Sequence, residues 1–320
     1  MSCWPATPST RGCEEAAHLS PALPFSIVTA ARDRSGQLRR TAASLSGYGT
    51  HAEHLILDWS SQLPISRDDL PADPRIRVER VEGEAQWWLS RAYNRAFLLA
   101  RHPWILKADA DALLGPEFFT GFAPAAATLQ IRHLVGGAAA AGCLDDLGLF
   151  AVERRALQAV GGFNPYLFGW GYDDLDLFER LFLQAGTTVS HLPAAGVCSL
   201  SHGVGQRLGG REEQPEPRCP LVGALLRQRL QAQLEANRCM ALLSRGLSVG
   251  LEAPSDCLHR LPPSLLQERR RALLRGWLRP LLGRYGGPVA AALPVAWLPA
   301  LLRGLAITDL PRLSGGEPPR

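Results

Sequence analysis

From Phe25 onward, short runs of β-branched and apolar residues alternate with longer segments of helical periodicity. The strand-like runs are Phe25–Ala30, His54–Asp58, Ile76–Val81 and Trp104–Ala108, with helix-like segments around Gly36–Ser46 and Ala85–Ala100. Parallel strands need a crossover between them, so this alternation predicts an α/β fold with a mostly parallel sheet flanked by helices. Further strands are predicted at His133–Gly137, Leu149–Val152 and Thr187–His191, with helices near Arg154–Val160 and Asp173–Ala185. The alternation stops near residue 206. The polar stretch from Gly209 to Pro217 reads as a linker, and Leu/Arg-rich helical sequence follows it. The expected division is a Pro/Ser/Thr/Gly-rich leader at 1–23, an α/β domain at 24–206, a linker at 207–220 and a helical extension at 221–320.

Within the extension, Ser264-Leu265-Leu266-Gln267 has the form of a capping box. Leu273, Leu274, Trp277, Leu278, Leu281 and Leu282 then form one apolar stripe, which Pro280 is expected to kink. Such a stripe suits packing against the rest of the protein. With its arginines it also suits peripheral contact with a membrane surface. Charge divides unevenly: residues 221–320 hold 14 Arg against 6 Asp plus Glu, a net of +8, so the rest of a chain of net charge +4 carries −4. The basic C-terminal part suits an anionic surface, an acidic partner or the acidic remainder of the chain itself. Nucleic acid is not expected, because no basic-aromatic binding module accompanies the arginines. Seven scattered cysteines, with no C-x-x-C pair, argue against a disulfide framework and a structural zinc site. The N-terminus lacks a basic start followed by an apolar run, and the apolar stretch Pro288–Leu302 is shorter than the roughly 20 residues that span a bilayer. The expected location is the cytoplasm, with peripheral contact at the inner face of a membrane left open.

Two acidic constellations carry chemistry. Trp104-Ile105-Leu106-Lys107-Ala108-Asp109-Ala110-Asp111 is an apolar strand ending in two carboxylates at i and i+2, which extended backbone turns to the same side. At the carboxyl end of a strand in an open α/β sheet, two hard oxygen donors suit Mg²⁺ or Mn²⁺ bridging a diphosphate. Acidic residues are also ordinary turn formers at such ends. The second constellation is Phe168-Gly169-Trp170-Gly171-Tyr172-Asp173-Asp174-Leu175-Asp176. Its glycines permit a tight path around Trp170, an aromatic platform for a ring-shaped substrate, and Asp173 or Asp174 would then act as a base. The same acids also suit the first turn of a helix, where the macrodipole favours negative charge. Both uses are compatible.

The run from Gly148-Leu149-Phe150-Ala151 through Gly161-Gly162-Phe163-Asn164 to Asp173-Asp174 resembles the C-terminal galactosyltransferase motif of the beta-1,4-galactosyltransferases and chondroitin-polymerase-type enzymes, with their W-G-W-G-G-E-D-D. Phe25-Ser26-Ile27-Val28-Thr29-Ala30-Ala31-Arg32-Asp33-Arg34 resembles the opening nucleotide-binding strand of family 2 glycosyltransferases. The resemblance covers residues 25 to about 205. It implies a GT-A, Rossmann-like domain and inverting transfer of a hexose or N-acetylhexosamine from a nucleotide diphosphate sugar, UDP-linked by preference, to a glycan or other hydroxyl acceptor. It makes Asp174 the general base and Asp173 an acceptor-orienting residue. Trp170 and Gly171 would line the substrate, Asp111 would bind the divalent cation, and Asp109 would serve the metal or the ribose. His202 occupies the place of the family's late histidine ligand, with a satisfied core or loop histidine the alternative. Arg32, Arg34, Asp58, Arg91 and Asn94 are candidates for pyrophosphate, ribose or uracil contacts, with a packing or surface role the alternative for each. Tyr172 replaces a family glycine, Leu175 an acceptor-holding acid and Ser199 a methionine beside the metal, so neither acceptor identity nor a preference for Mn²⁺ carries over. A non-catalytic sugar-nucleotide or glycan-binding protein and a nucleotidyltransferase are the rival readings. Ala30-Ala31-Arg32-Asp33-Arg34-Ser35-Gly36 is a poor phosphate loop for the latter.

Overall fold

The computed structural model describes residues 24–132, 148–200, 203, 207, 219–245, 247, 250–253, 257–258 and 260–285. Its strands are β1 (Phe25–Ala31), β2 (Glu53–Trp59), β3 (Ile76–Val81), β4 (Trp104–Lys107), β5 (Ala112–Leu114), β6 (Thr128–Ile131), β7 (Phe150–Glu153), β8 (Thr188–His191) and β9 (Val197–Ser199). The helices are α1 (Ser35–Tyr48), α2 (Leu89–Leu99), α3 (Pro116–Gly121), α4 (Arg154–Ala159), α5 (Asp173–Gln184), α6 (Pro220–Leu243) and α7 (Pro263–Tyr285).

Seven strands form one sheet in the order β3-β2-β1-β4-β7-β6-β8. The β3-β2-β1-β4 half is parallel, β7 runs antiparallel to both β4 and β6, and β8 is parallel to β6. The expected α/β class holds: a mostly parallel sheet, flanked by helices, with helices at its C-terminal side. Every residue of β1 and β2 is buried, the pattern of parallel strands covered on both faces. The polar residues among them are satisfied locally. Ser26, for instance, donates to Glu53 at 2.6 Å. Strand β5 pairs with β9 in a separate two-stranded sheet at the end of β4, so the chain that leaves β4 through Asp109 and Asp111 is held against residues 197–199.

One expectation is corrected and one lies outside the described residues. The strand after α3 is Thr128–Ile131, whereas His133–Gly137 lies outside the described residues. Helix α7 starts at Pro263, so Ser264 sits inside the first turn instead of capping it; proline at that position loses no hydrogen bond. The helix also continues past Pro280 to Tyr285.

The extension is packed into the sheet's own core. Met240, Ala241, Cys257, Leu258 and Leu261 share one buried cluster with Trp88, Phe97, Phe163 and Leu167. Leu273 and Leu274, from the apolar stripe of the extension, are buried against Ala232 and Ala236 of α6. The two helices approach closely because position 276 is glycine; a Cβ there would stand 2.6 Å from the Ala232 Cα. Among the described residues, no helix is long and apolar enough to cross a membrane.

Candidate active site

Strand β4 ends on Lys107, which is 0% exposed. Its Nζ donates to Asp109 Oδ1 at 2.9 Å and lies 3.7 Å from Asp174 Oδ1. The ammonium also stands 4.5 Å from the centre of the Tyr93 ring. The Tyr93 hydroxyl, from α2, donates 2.8 Å to the same Asp109 oxygen. Burial by itself would lower the Lys107 pKa. The charges of Asp109 and Asp174 outweigh it and hold the group above the usual lysine range. One buried cation thus joins the acid of the D-x-D to the acid of the G-W-G segment.

Asp174 reaches this point because the backbone before α5 is forced round a tight path. Gly169, Gly171 and Tyr172 have φ of 86°, 96° and 69°. Glycine adopts such values freely, and Tyr172, which caps α5, does so at a cost of roughly 1–2 kcal/mol. Strain of this kind concentrates at functional sites. The three acids of the first turn then divide their work. Asp176 pairs with Arg180 at 2.7 Å, and Arg180 donates to the carbonyls of Val160 and Gly162 at 2.8 and 2.7 Å, so this acid supports the Gly161-Gly162 turn. Asp173 and Asp174 are placed toward Lys107. Burial pushes both carboxyls above the usual carboxylate range, with the Asp109 charge adding to it and Lys107 pulling both back. Asp174 is raised further by Asp173. Asp174 Oδ1 is buried and has no hydrogen-bond partner among the described residues.

Asp109 is 36% exposed and spends Oδ1 on Lys107 and Tyr93. Its Oδ2 lies against Gly148, where a Cβ would come within 1.8 Å. Asp111 is buried, and its carbonyl accepts from the Leu200 N–H at 2.8 Å. Two hard oxygen donors at a strand end fit a divalent cation that completes its shell from phosphate and water. No group of three His, Cys, Asp or Glu side chains arranged to hold a metal occurs among the described residues, and His202 lies outside them.

The other predicted residues line the flank formed by β1, β2 and α2. Arg32 donates to the carbonyls of Glu84 and Ala85 at 2.8 and 3.1 Å. Arg91 pairs with Glu84 at 2.8 Å and lies over the rings of Trp59 and Trp88, so both arginines anchor the segment before α2. Asp58 accepts from the Ser61 and Ile65 N–H groups and from Arg80. Arg34 begins α1. Asn94 is fully buried, and its amide accepts from Phe163 N–H at 2.7 Å and donates to Phe163 C=O at 2.8 Å. It clamps the Gly-Phe turn, and the expected nucleotide contact finds no support in that placement. Trp170 is half-buried, with the Arg207 guanidinium 5.7 Å from its ring centre.

Sequence reasoning missed Lys107, Tyr93 and Gly148. Lys107 carried one usable signal, being the only lysine among 34 basic residues. Tyr93 carried none, because a tyrosine on the inner face of a helix reads as core.

Residues 145–202 match the family described as the N-terminal domain of galactosyltransferase. The stated resemblance is therefore borne out over the segment that carries the G-W-G and Asp173-Asp174 motif, and with it the expectation of a glycosyltransferase enzyme. Among solved structures, the Drosophila beta-1,4-galactosyltransferase 7 mutant in complex with manganese, UDP-Gal and xylobiose is similar at 17% identity, covering 63% of this chain and 79% of that one, with a TM-score of 0.40. Glucosyl-3-phosphoglycerate synthase of Mycobacterium tuberculosis, in complex with Mn²⁺, UDP and phosphoglyceric acid, is similar at 17% identity over 67% and 78% of the two chains, with a TM-score of 0.46. No curated protein matches the chain by sequence.

Proposed function

We propose that the protein is a metal-dependent inverting glycosyltransferase that moves a hexose or N-acetylhexosamine from a UDP-linked donor to a hydroxyl of a glycan or similar acceptor. The observation that carries this reading is the half-buried Asp174 carboxylate, whose enclosed Oδ1 has no hydrogen-bond partner among the described residues and lies 3.7 Å from an ammonium that also holds Asp109. A base needs a pKa lifted toward neutrality and a carboxylate within reach of the acceptor; burial supplies the lift, and the Asp174 side chain keeps 18% of its surface exposed although Oδ1 is enclosed beside Lys107. Asp174 takes the proton of the acceptor hydroxyl as the hydroxyl oxygen attacks the anomeric carbon, and the bond from that carbon to the diphosphate oxygen breaks with its electron pair, releasing UDP. Asp173 orients that hydroxyl, and Trp170 offers its ring to the sugar faces. Asp109 and Asp111 would hold the divalent cation, with His202 the third expected ligand, and the cation when bound neutralises charge on the diphosphate. Lys107 keeps the donor-side and base-side acids at a fixed separation, so the two halves of a single displacement stay in register.

The test is mass-shift detection of product across a panel of UDP-sugars and hydroxyl acceptors, with Mn²⁺ and with EDTA. Transfer is expected in Mn²⁺ alone. Asp174→Asn should reduce it by roughly 10²–10⁴-fold while donor binding, followed by calorimetry, barely changes. If Asp173→Asn abolishes transfer and Asp174→Asn does not, the base is Asp173. If both variants stay active, the inverting reading fails.

A further inference from the structure

The G-W-G segment is held from behind by α6 and α7. Trp170 N–H donates to Gln233 Oε1 at 3.0 Å. Asn237 Oδ1 accepts from Phe168 N–H at 3.2 Å, and its Nδ2 donates to the Gly171 carbonyl at 2.8 Å. Arg269 reaches across from α7 and is 1% exposed. It donates to the Phe168 carbonyl at 3.0 Å, to Asn237 Oδ1 at 3.3 Å and to the Tyr166 carbonyl at 3.5 Å. Space is as closely set as bonding. A Cβ at position 169 would stand 2.8 Å from the Gln233 carboxamide carbon, and one at 171 would stand 2.8 Å from Leu234 Cδ1. The backbone path that brings Trp170 and Asp174 to the site is therefore clamped by side chains nearly seventy to a hundred positions further along the chain.

We propose that Arg269 and Asn237 are positioning residues that fix the loop around Trp170, so that α6 and α7 set how the acceptor is held; this deepens the glycosyl-transfer reading and rests on it. A buried guanidinium suits the role. Its planar fork satisfies several carbonyls in one geometry, which an ammonium on a flexible stem does not. Arg269 bonds loop carbonyls and no loop N–H, so exchange of the loop N–H groups reports the loop's mobility and not the direct loss of one of their own bonds.

The experiment is residue-resolved hydrogen exchange on the full chain without ligand, comparing the native protein with Arg269→Met, Arg269→Lys and Asn237→Ala. In Arg269→Met, the Phe168 and Trp170 amides should exchange faster by about tenfold, the change expected on losing one or two net hydrogen bonds, with β1 and β2 unchanged. Arg269→Lys should fall between. Asn237→Ala should accelerate Trp170 as well as Phe168, although the Gln233 bond to Trp170 is intact. Unchanged loop amides in a folded Arg269→Met overturn the proposal. So does equal acceleration of β1 and β2 in both Arg269→Met and Asn237→Ala, which would make these residues general folding requirements. In transfer assays, Arg269→Met should raise the acceptor KM and leave donor affinity within about twofold. A native protein that transfers nothing sinks the transferase reading, while the exchange result still decides this one.

Discussion

Lys107 shows how much one side chain decides at this site. In a chain whose other basic residues are all arginine, it occupies a fully buried position between the Tyr93 ring, Asp109 and Asp174. A compact ammonium fits where the guanidinium plane would overpack the strand end. Replacing it with methionine keeps volume and leaves two acids without their cation. Breaking a buried ion pair costs roughly 3–5 kcal/mol, and the partial exposure of Asp109 argues for the lower end. Urea unfolding of Lys107→Met checks this. A loss below about 1 kcal/mol, the range of an exposed pair, would mean that the ammonium is not holding the cluster. The acids themselves were legible in the sequence, because carboxylates that directly follow an apolar run stand out. Their division of labour was not. That Asp176 belongs to Arg180 and the Gly-Gly turn, and Asp174 to Lys107, depends on which way the first turn of α5 faces.

At the scale of elements, the amino-terminal end of β2 carries a different polar feature. His51 and His54 are buried with their rings 6.3 Å apart, and both nitrogens of His51 and Nδ1 of His54 have no hydrogen-bond partner among the described residues. Burial first, and then the positive charge of Arg75 for His51 and of His51 for His54, push the two pKa values down to about 4 and about 3. Below pH 6.5 the unfolded chain takes up protons at these histidines that the folded chain does not. The histidines' contribution to stability is therefore full only well above pH 6.5 and falls as the pH drops toward 4, by about 1.6 kcal/mol per histidine between pH 6.5 and 5, while Asp173 and Asp174, whose pKa values are raised, take up protons in the folded chain first and oppose that loss. Asp73 and Glu53, whose pKa values are depressed, add their own loss only below the ordinary carboxylate range. His54→Gln should shift the change in unfolding free energy between pH 6.5 and 5 by about 1.6 kcal/mol toward greater stability at pH 5, relative to the native protein, as read by urea titrations at several pH values. An unchanged slope would mean that His54 titrates normally in the folded protein. Nothing in the sequence distinguishes these histidines from surface ones. Their burial follows from the sheet order, which puts β2 between β1 and β3.

At the scale of the whole molecule, α6 and α7 belong to the body of the sheet. Met240, Leu258 and Leu261 are buried in its main core, and each contributes about 1.5–3 kcal/mol when fully buried. That sum approaches the whole stability of an ordinary domain, roughly 5–15 kcal/mol. A chain cut after residue 206, where the linker was expected to begin, should therefore lack a cooperative thermal transition by circular dichroism. A cooperative transition within a few degrees of that of the full chain would show the α/β part to be independent. By itself the sequence determined the alternating strands and helices, the two acidic motifs and the galactosyltransferase-like segment, because periodicity and local spacing are written over neighbouring residues. Tertiary structure decided what depends on distant residues meeting: Lys107 joining Asp109 to Asp174, Asn94 spent on the Phe163 turn, and Arg269 closing on the Phe168 carbonyl. A buried charge or amide is indistinguishable in sequence from a solvated one, and only packing removes the water that would otherwise satisfy it.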